Sequence, residues 1–320
     1  MNTDVQQPQY LSNDEMNAKL SALSTKRKIY AKFILFFLFL CLAAFITGIV
    51  FAVIDVELVI AEHEILWYYW LVAGVLLVQG CTFFGYLAKQ VEQKKAALVE
   101  PGLLRVIRTA LDGNFEVESY ESARGIEASE IRKTELINHD WNRCQGYNFV
   151  KAKYRGVNVS FSNVNLLYGT NRRNDTETNI FAGQWLICEL RNELPAPIWL
   201  RECPREKGSK KSNIQTDNIE FNNKYQITTP DQYAALQVLT PRFVESILNV
   251  RKKTDVWTSL CFMGNQLHIA YARFLFSKDV NEIRDTGDIG LYSGQADMDA
   301  KYITGIIDEL LLNDHLFGSN

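Results

Sequence analysis

The side chains best suited to bond-making chemistry in this chain are six cysteines and four histidines. A zinc site needs such ligands gathered in short, paired spacings. No Cys-x-x-Cys pair occurs, and the nearest approach of the two types is His139 with Cys144, while His268 and His315 stand alone. No metal site is expected. Cys188, Cys203 and Cys261 are scattered, so the thiols read as free rather than as a disulfide framework. Nucleophilic or acid–base catalysis needs a nucleophile set beside a base. Asp140 adjoins His139, and Asp231 lies near Thr228 and Thr229, but any domain of this size holds such neighbours. Alternation puts His268 with Gln266 on the side opposite Leu267, Ile269 and Tyr271, which makes it a surface or edge residue.

Phosphate and nucleotide chemistry leave as little trace. There is no G-x-x-x-x-G-K-[ST] loop, no H-E-x-x-H, no G-x-S-x-G and no dinucleotide turn after a strand. Gly287, Gly290 and Gly294 have the wrong spacing and context. The run PREKGSKKSN concentrates Arg205, Lys207, Lys210 and Lys211, and such a cluster can meet phosphates. Yet 34 Lys and Arg face 37 Asp and Glu, for a net charge of −3, without the basic excess of a nucleic-acid binder. The run reads as a solvated loop. The expectation is a chain with no catalytic residue, no cofactor, no metal and no nucleic-acid partner, hence no enzyme.

The elements that would position these residues fall into two parts. Phe33–Ile54 and Ile65–Ala88 contain no charge, and each exceeds the length a helix needs to cross a bilayer. They are expected to be transmembrane helices. Lys19, Lys26, Arg27, Lys28 and Lys32 precede the first, and Lys89, Lys94 and Lys95 follow the second. The connecting loop holds Asp55, Glu57, Glu62 and Glu64. The positive-inside bias then places both termini in the cytoplasm, in a two-span protein of the inner membrane. Trp67, Tyr68, Tyr69 and Trp70 suit the outer interface. Ala44, Gly48 and Ala52 form a small-residue stripe that admits a close helix, either Gly74, Cys81 and Gly85 of the second span or a second copy of the chain. Gln79 is the one amide there, and with no intramembrane ionisable group no transport path is expected. Ahead of the first span, Ser12 to Glu15 form a capping-box pattern for a short helix over Met16, Leu20 and Leu23.

Beyond the second span, helical composition is expected to end at Pro101, which starts a new helix that stops near Gly113. A polar helical stretch from Ser122 to Ile137 follows. From Tyr147 the period becomes two. NFVKAKY and VNVSFSNVNLL flank a turn at Arg155-Gly156, and IFAGQWLICEL and PIWLREC continue the strands. Ile219, Phe221, Tyr225 and Ile227 are expected to add a strand, and Thr229-Pro230-Asp231 a turn. Thr240 caps and Pro241 starts a helix with Phe243, Val244, Ile247 and Leu248 on one face. SLCFM and QLHIAYARF join at Gly264-Asn265 as a hairpin, and a last helix runs near Asp297 to Asn313. The expected fold class is α+β: a transmembrane helical hairpin, then a cytoplasmic domain with a mainly antiparallel sheet and flanking helices. The expected divisions are a polar segment 1–28, a hairpin 29–88, a helical connector 89–112 and a domain 113–320.

The order hairpin, YRGVNVSFSNV, IFAGQWLICEL, IEFNNKYQITTPDQYAALQVLTPRFVESIL and SLCFMGNQLHIAYA resembles an uncharacterised bacterial membrane family with a cytoplasmic domain of unknown function, sometimes labelled galanin-like. Phe221, Asp231 and Leu239-Thr240-Pro241 carry the most specific part, whereas Asn222 stands where an acidic residue is usual. The resemblance implies the bilayer and a LemA-type membrane protein as partners, and it implies no activity. Three functions follow as expectations. The first is a membrane-anchored interaction or scaffold module. The alternatives are a membrane-tethered sensor of a small ligand and an enzyme with no recognisable motif.

Overall fold

The computed structural model describes residues 13–54, 64–169, 177–203, 212–276 and 289–311, with residues 44–45, 47–54 and 64–73 among those given by backbone alone. The loops at Tyr168 to Asn179 and Pro204 to Asn213, the outer loop between the expected spans, and the side chains of Ala44, Gly48 and Ala52 therefore lie wholly or largely outside the description. The chain divides into two units, residues 1–103 with 278–292, and 104–277 with 293–320.

In the first unit, helix α1 spans Asn13–Ile54 and α2 begins at Glu64, running to Asn114. The two helices run antiparallel. Arg27 pairs with Glu92 at 2.9 Å, the Phe33 and Phe84 rings stack at 5.0 Å, and Phe37 lies against Gly80. Gly80, which was not among the expected contact residues, is a glycine at this contact. Asp14 and Glu15 of the capping-box pattern lie in the first turn of one long helix, not a short separate one. Pro101 does not reset α2, which runs through it from KKAALVE into LLRVIRTAL.

The transmembrane hairpin is corrected. Among the described residues no helix is long and apolar enough to cross a membrane. Each long helix carries charge, from Asp14 to Lys32 in α1 and from Lys89 onward in α2. The two-span topology and the inner-membrane location rested on that hairpin and fall with it.

The second unit is α+β, built on an antiparallel sheet. Its strands are β1 (Glu116–Glu121), β2 (Arg143–Tyr154), β3 (Val157–Tyr168), β4 (Thr178–Glu189), β5 (Ile198–Glu202), β6 (Tyr225–Thr228), β7 (Thr258–Met263) and β8 (Gln266–Tyr271). They form an eight-stranded sheet in the order β1-β2-β3-β4-β8-β7-β5-β6. The β2–β3 turn takes positive φ at both Arg155 and Gly156, the geometry that matches the twist of a two-residue hairpin. At the β7–β8 turn only Gly264 does so.

Besides the end of α2 from Leu104, the helices of this unit are α3 (Ala128–Lys133), α4 (Ile219–Lys224), α5 (Gln232–Val238), α6 (Pro241–Thr254) and, from Ser293 on, α7 (Ile289–Leu311). The polar stretch expected as a helix from Ser122 is helical only in α3. Ile219 and Phe221, expected in a strand, form α4, whose cap is Asn218 accepting from the Phe221 amide. Asp231 ends its turn by capping α5, a helix the pattern had not suggested. Thr240 and Pro241 start α6 as expected, with the Thr240 hydroxyl accepting from the Phe243 amide.

One face of the sheet is closed by α6 and α7. Phe243, Val244 and Ile247 are fully buried there with Leu200, Leu260, Phe262, Leu267 and Ile269 of the sheet. The Phe243 and Phe262 rings meet edge-on at 5.9 Å, and Tyr271 meets Tyr302 at the same spacing. Burial of a ring such as Phe243 contributes roughly 2–3 kcal/mol. The other face carries Val164, Leu166, Phe181, Trp185, Ile187, Cys261 and Ala270, closed mainly by the segment between β1 and β2 through Ile126, Ile131, Leu136 and Trp141. We call residues 122–142 the strap.

Candidate functional site: a cleft beneath the strap

The strap leaves β1 and crosses β2 where two glycines meet. A Cβ on Gly125 would fall 2.4 Å from the Gly146 Cα, and one on Gly146 would fall 2.6 Å from the Gly125 Cα. The crossing is pinned by the Ile126 amide donating to the Ser162 hydroxyl at 3.0 Å. After α3 the chain turns sharply, with Glu135 at φ 48°, a left-handed conformation uncommon outside glycine.

Two strand residues hold that turn. The Trp199 indole N–H donates to the Thr134 carbonyl at 2.6 Å. Arg201 donates from Nη2 to the Glu135 carbonyl at 2.7 Å and from Nε to the Leu136 carbonyl at 3.4 Å. Both side chains emerge on the same face because they are two apart in β5. Further on, the Arg132 guanidinium lies 3.9 Å from the centroid of the Trp141 ring.

Under the strap are two adjoining cavities that share Ile137, Asn138, His139 and Arg201 in their walls. The larger, of about 620 Å³, has an apolar wall formed by Leu136, Ile137, Ile180, Phe181 and Trp257. The Phe181 and Trp257 rings meet at 5.8 Å. Its polar contributors include Asn138, Asn179, Arg201 and Gln226. The smaller, of about 490 Å³, adds Arg132, Glu135 and Asp140.

Charge in the larger cleft is one-sided. Glu202 borders it, but its carboxylate is held by Arg251 at 2.7 Å and by the Thr258 amide at 2.6 Å. Arg201 donates only to carbonyls, and among the described residues no carboxylate reaches it at salt-bridge distance. Burial lowers its pKa, while Cys261 and Glu135 act in the opposite sense.

The sequence had offered His139, Asp140, Asp231, His268 and the cysteines as reactive groups, and the structure separates them. His139 and Asp140 line the smaller cavity. Asp231 is a helix cap. Cys203 borders the larger cleft.

His268 corrects the expectation of a surface or edge position, because β8 is an inner strand and the strap covers its outward face. The side chain is buried, and its Nδ1 accepts from the Trp185 indole N–H at 3.3 Å. Burial pushes its pKa down to about 4. Directly across on β7 is Cys261, whose thiol donates to the Thr134 carbonyl and is pushed up to about 12 by burial. A cysteine–histidine pair that is neutral on both sides is not an activated nucleophile.

Arg201, Phe181 and Trp257 were missed by sequence reasoning. The only available signal was the alternation W-L-R in β5, which puts Trp199 and Arg201 on one side. Nothing local says that Phe181 and Trp257 lie near them.

Metal ligation by three or more His, Cys, Asp or Glu groups does not occur among the described residues. No curated protein matches the chain in sequence. Among solved structures, mycobacterial trehalose monomycolate transport factor A, TtfA, aligns with 65% of this chain and 96% of its own. Identity is 12% and the TM-score 0.28, a likeness that carries no argument about fold or function. The resemblance to a two-helix membrane family is supported only as far as its domain of unknown function. Residues 179–312, which include Phe181, Arg201 and Trp257 but not the strap, match a family described as a protein of unknown function, DUF3137.

Proposed function

We propose that the sheet domain is a non-enzymatic binding module whose strap-covered cleft takes a small molecule with apolar and polar parts. The observation that carries this reading is the cleft itself. Its volume, about 620 Å³, falls within the range usual for ligand sites, and an aromatic wall with a few convergent polar groups is their usual make-up. Its position under a turn held by Trp199 and Arg201 gives a bound molecule a way to alter the strap. That supports a sensor over a passive carrier. The buried, unactivated His268 and Cys261 favour binding over catalysis.

The test is an occlusion variant. Ala272 borders the cleft and is exposed, so Ala272→Trp fills the mouth without disturbing a core side chain. A small-molecule library screened by thermal shift against the full chain should yield binders that the variant loses. A library whose every binder is retained by Ala272→Trp would exclude the cleft.

A second reading, an interaction module, rests on a separate observation. The helices of the first unit expose Leu35, Phe36, Phe39, Leu42, Leu76 and Val78, each more than half accessible, and contiguous apolar surface of this kind marks sites of association. Leu35→Glu with Phe39→Glu should then reduce the size of any assembly measured by light scattering, and an unchanged mass would remove this reading.

A further inference from the structure

Within the binding reading, on which this inference rests, we propose that the ligand is an amphipathic anion: an oxyanion head, carboxylate or phosphate, held by Arg201, and an apolar tail laid against Phe181 and Trp257. Three observations lead there. First, the charged groups bordering the larger cleft are Arg201 and Glu202, and Glu202 has both carboxylate oxygens engaged by Arg251 and Thr258. The remaining charge is positive.

Second, Arg201 makes hydrogen bonds from Nε and Nη2 to carbonyls only. A guanidinium has five N–H donors in a planar fork, so donors are left for an oxyanion, and a charge-assisted pair is roughly twice as strong as a neutral one. Third, the wall beside this cation is aromatic and aliphatic. Phe181 and Trp257 meet at 5.8 Å, and Ile180, Leu136 and Ile137 complete it. A purely polar anion would leave that surface wet, and a purely apolar molecule would leave Arg201 desolvated without compensation.

The head also has a structural consequence. The guanidinium holds the Glu135 and Leu136 carbonyls of the left-handed turn. An oxyanion taken by the remaining donors draws on the same guanidinium, so occupancy of the cleft is read out in the turn it holds.

The experiment is isothermal titration calorimetry of the full chain with four eight-carbon probes: octanoate, octyl phosphate, octanol and octylammonium. Octanoate or octyl phosphate should bind at one per chain, at least tenfold tighter than octanol or octylammonium. Arg201→Gln should bring the anion down to the affinity of octanol, Arg201→Lys should keep part of the preference, and Ala272→Trp should abolish binding of all four. The selectivity of the unaltered protein needs no variant, so a misfolded Arg201→Gln would not shield the proposal. Equal binding of octanol and octanoate, or a preference untouched by Arg201→Gln, overturns the anion assignment and leaves the cleft standing. Binding of no probe, or binding indifferent to Ala272→Trp, overturns the anion assignment and the cleft reading together. Preference for octyl phosphate over octanoate would identify the head as phosphate, and the reverse as carboxylate.

Discussion

The two faces of the sheet are closed by different means. On one, α6 and α7 lay side chains into the sheet, and Phe243, Ile247, Phe262 and Ile269 lose all contact with water. On the other, a strap with one short helix covers a row of aromatic and small residues and leaves two cavities between itself and the strands. A helix presents a continuous stripe of apolar side chains at fixed spacing, whereas a strap must satisfy its own backbone groups one at a time. Trp199, Arg201 and Ser162 do that here, so part of this face is polar by necessity. The difference teaches where function can reside: the side chains packed between the sheet and α6 and α7 are sealed, whereas beneath the strap there is room and chemistry.

The largest effect should come from putting charge into the dense face. Phe243→Asp buries a carboxylate among fully apolar neighbours, and it should cost more than about 4 kcal/mol and unfold the domain. Circular dichroism and urea denaturation would show this, and a stable folded mutant would mean the two faces are not so different.

A paired truncation sharpens the point. Phe243→Ala should cost about 4 kcal/mol because a sealed cavity remains. Phe181→Ala, at a wall already open to the cleft, should cost about 2 kcal/mol by the same reasoning. Equal losses would erase the distinction.

Acid should act on the strap-covered face through His268. The folded protein takes up this proton only near pH 4, against 6.5 for the free side chain, so between those values the unfolded chain holds more protons. Stability contributed by the neutral imidazole is therefore whole above pH 6.5 and falls as pH drops toward 4, by up to about 3 kcal/mol. Denaturation at a series of pH values should show a shallower loss for His268→Gln than for the unaltered protein.

The smallest effects belong to neither face. Thr240→Ala removes the cap of α6 and should cost about 1 kcal/mol. Lys151→Ala breaks an exposed pair with Glu118 and should change stability by less than about 0.5 kcal/mol.

These contrasts match what could be read from the amino-acid order. Local patterns reported the dense face well. Alternation placed β2 and β3, Thr240-Pro241 marked the start of α6, and the apolar spacing of Phe243 to Leu248 gave its buried side. The site was nearly illegible. Its cation, aromatic wall and cover come from β5, β4, the start of β7 and the strap, and the strand order that brings β4 and β5 to one face is not a local property. His268 failed for the same reason, since alternation tells which side a residue takes and not what will later cover that side. The helical pair failed differently. Uncharged length alone suggested a span, whereas among the described residues no helix is long and apolar enough to cross a membrane.

The meeting of Gly125 with Gly146 bears on how such a chain can change over time. At each position even one added methyl would strike the main chain of the other, so no exchange of partners restores the fit. Ordinary contacting residues can trade volume, one growing as the other shrinks. These two are already at the minimum, and the crossing leaves the sequence no neutral path there. The variability that a binding site needs in order to take up new ligands must instead come from the cleft walls downstream, where Asn138, Ile180 and Gln226 can be replaced without moving the backbone that carries them.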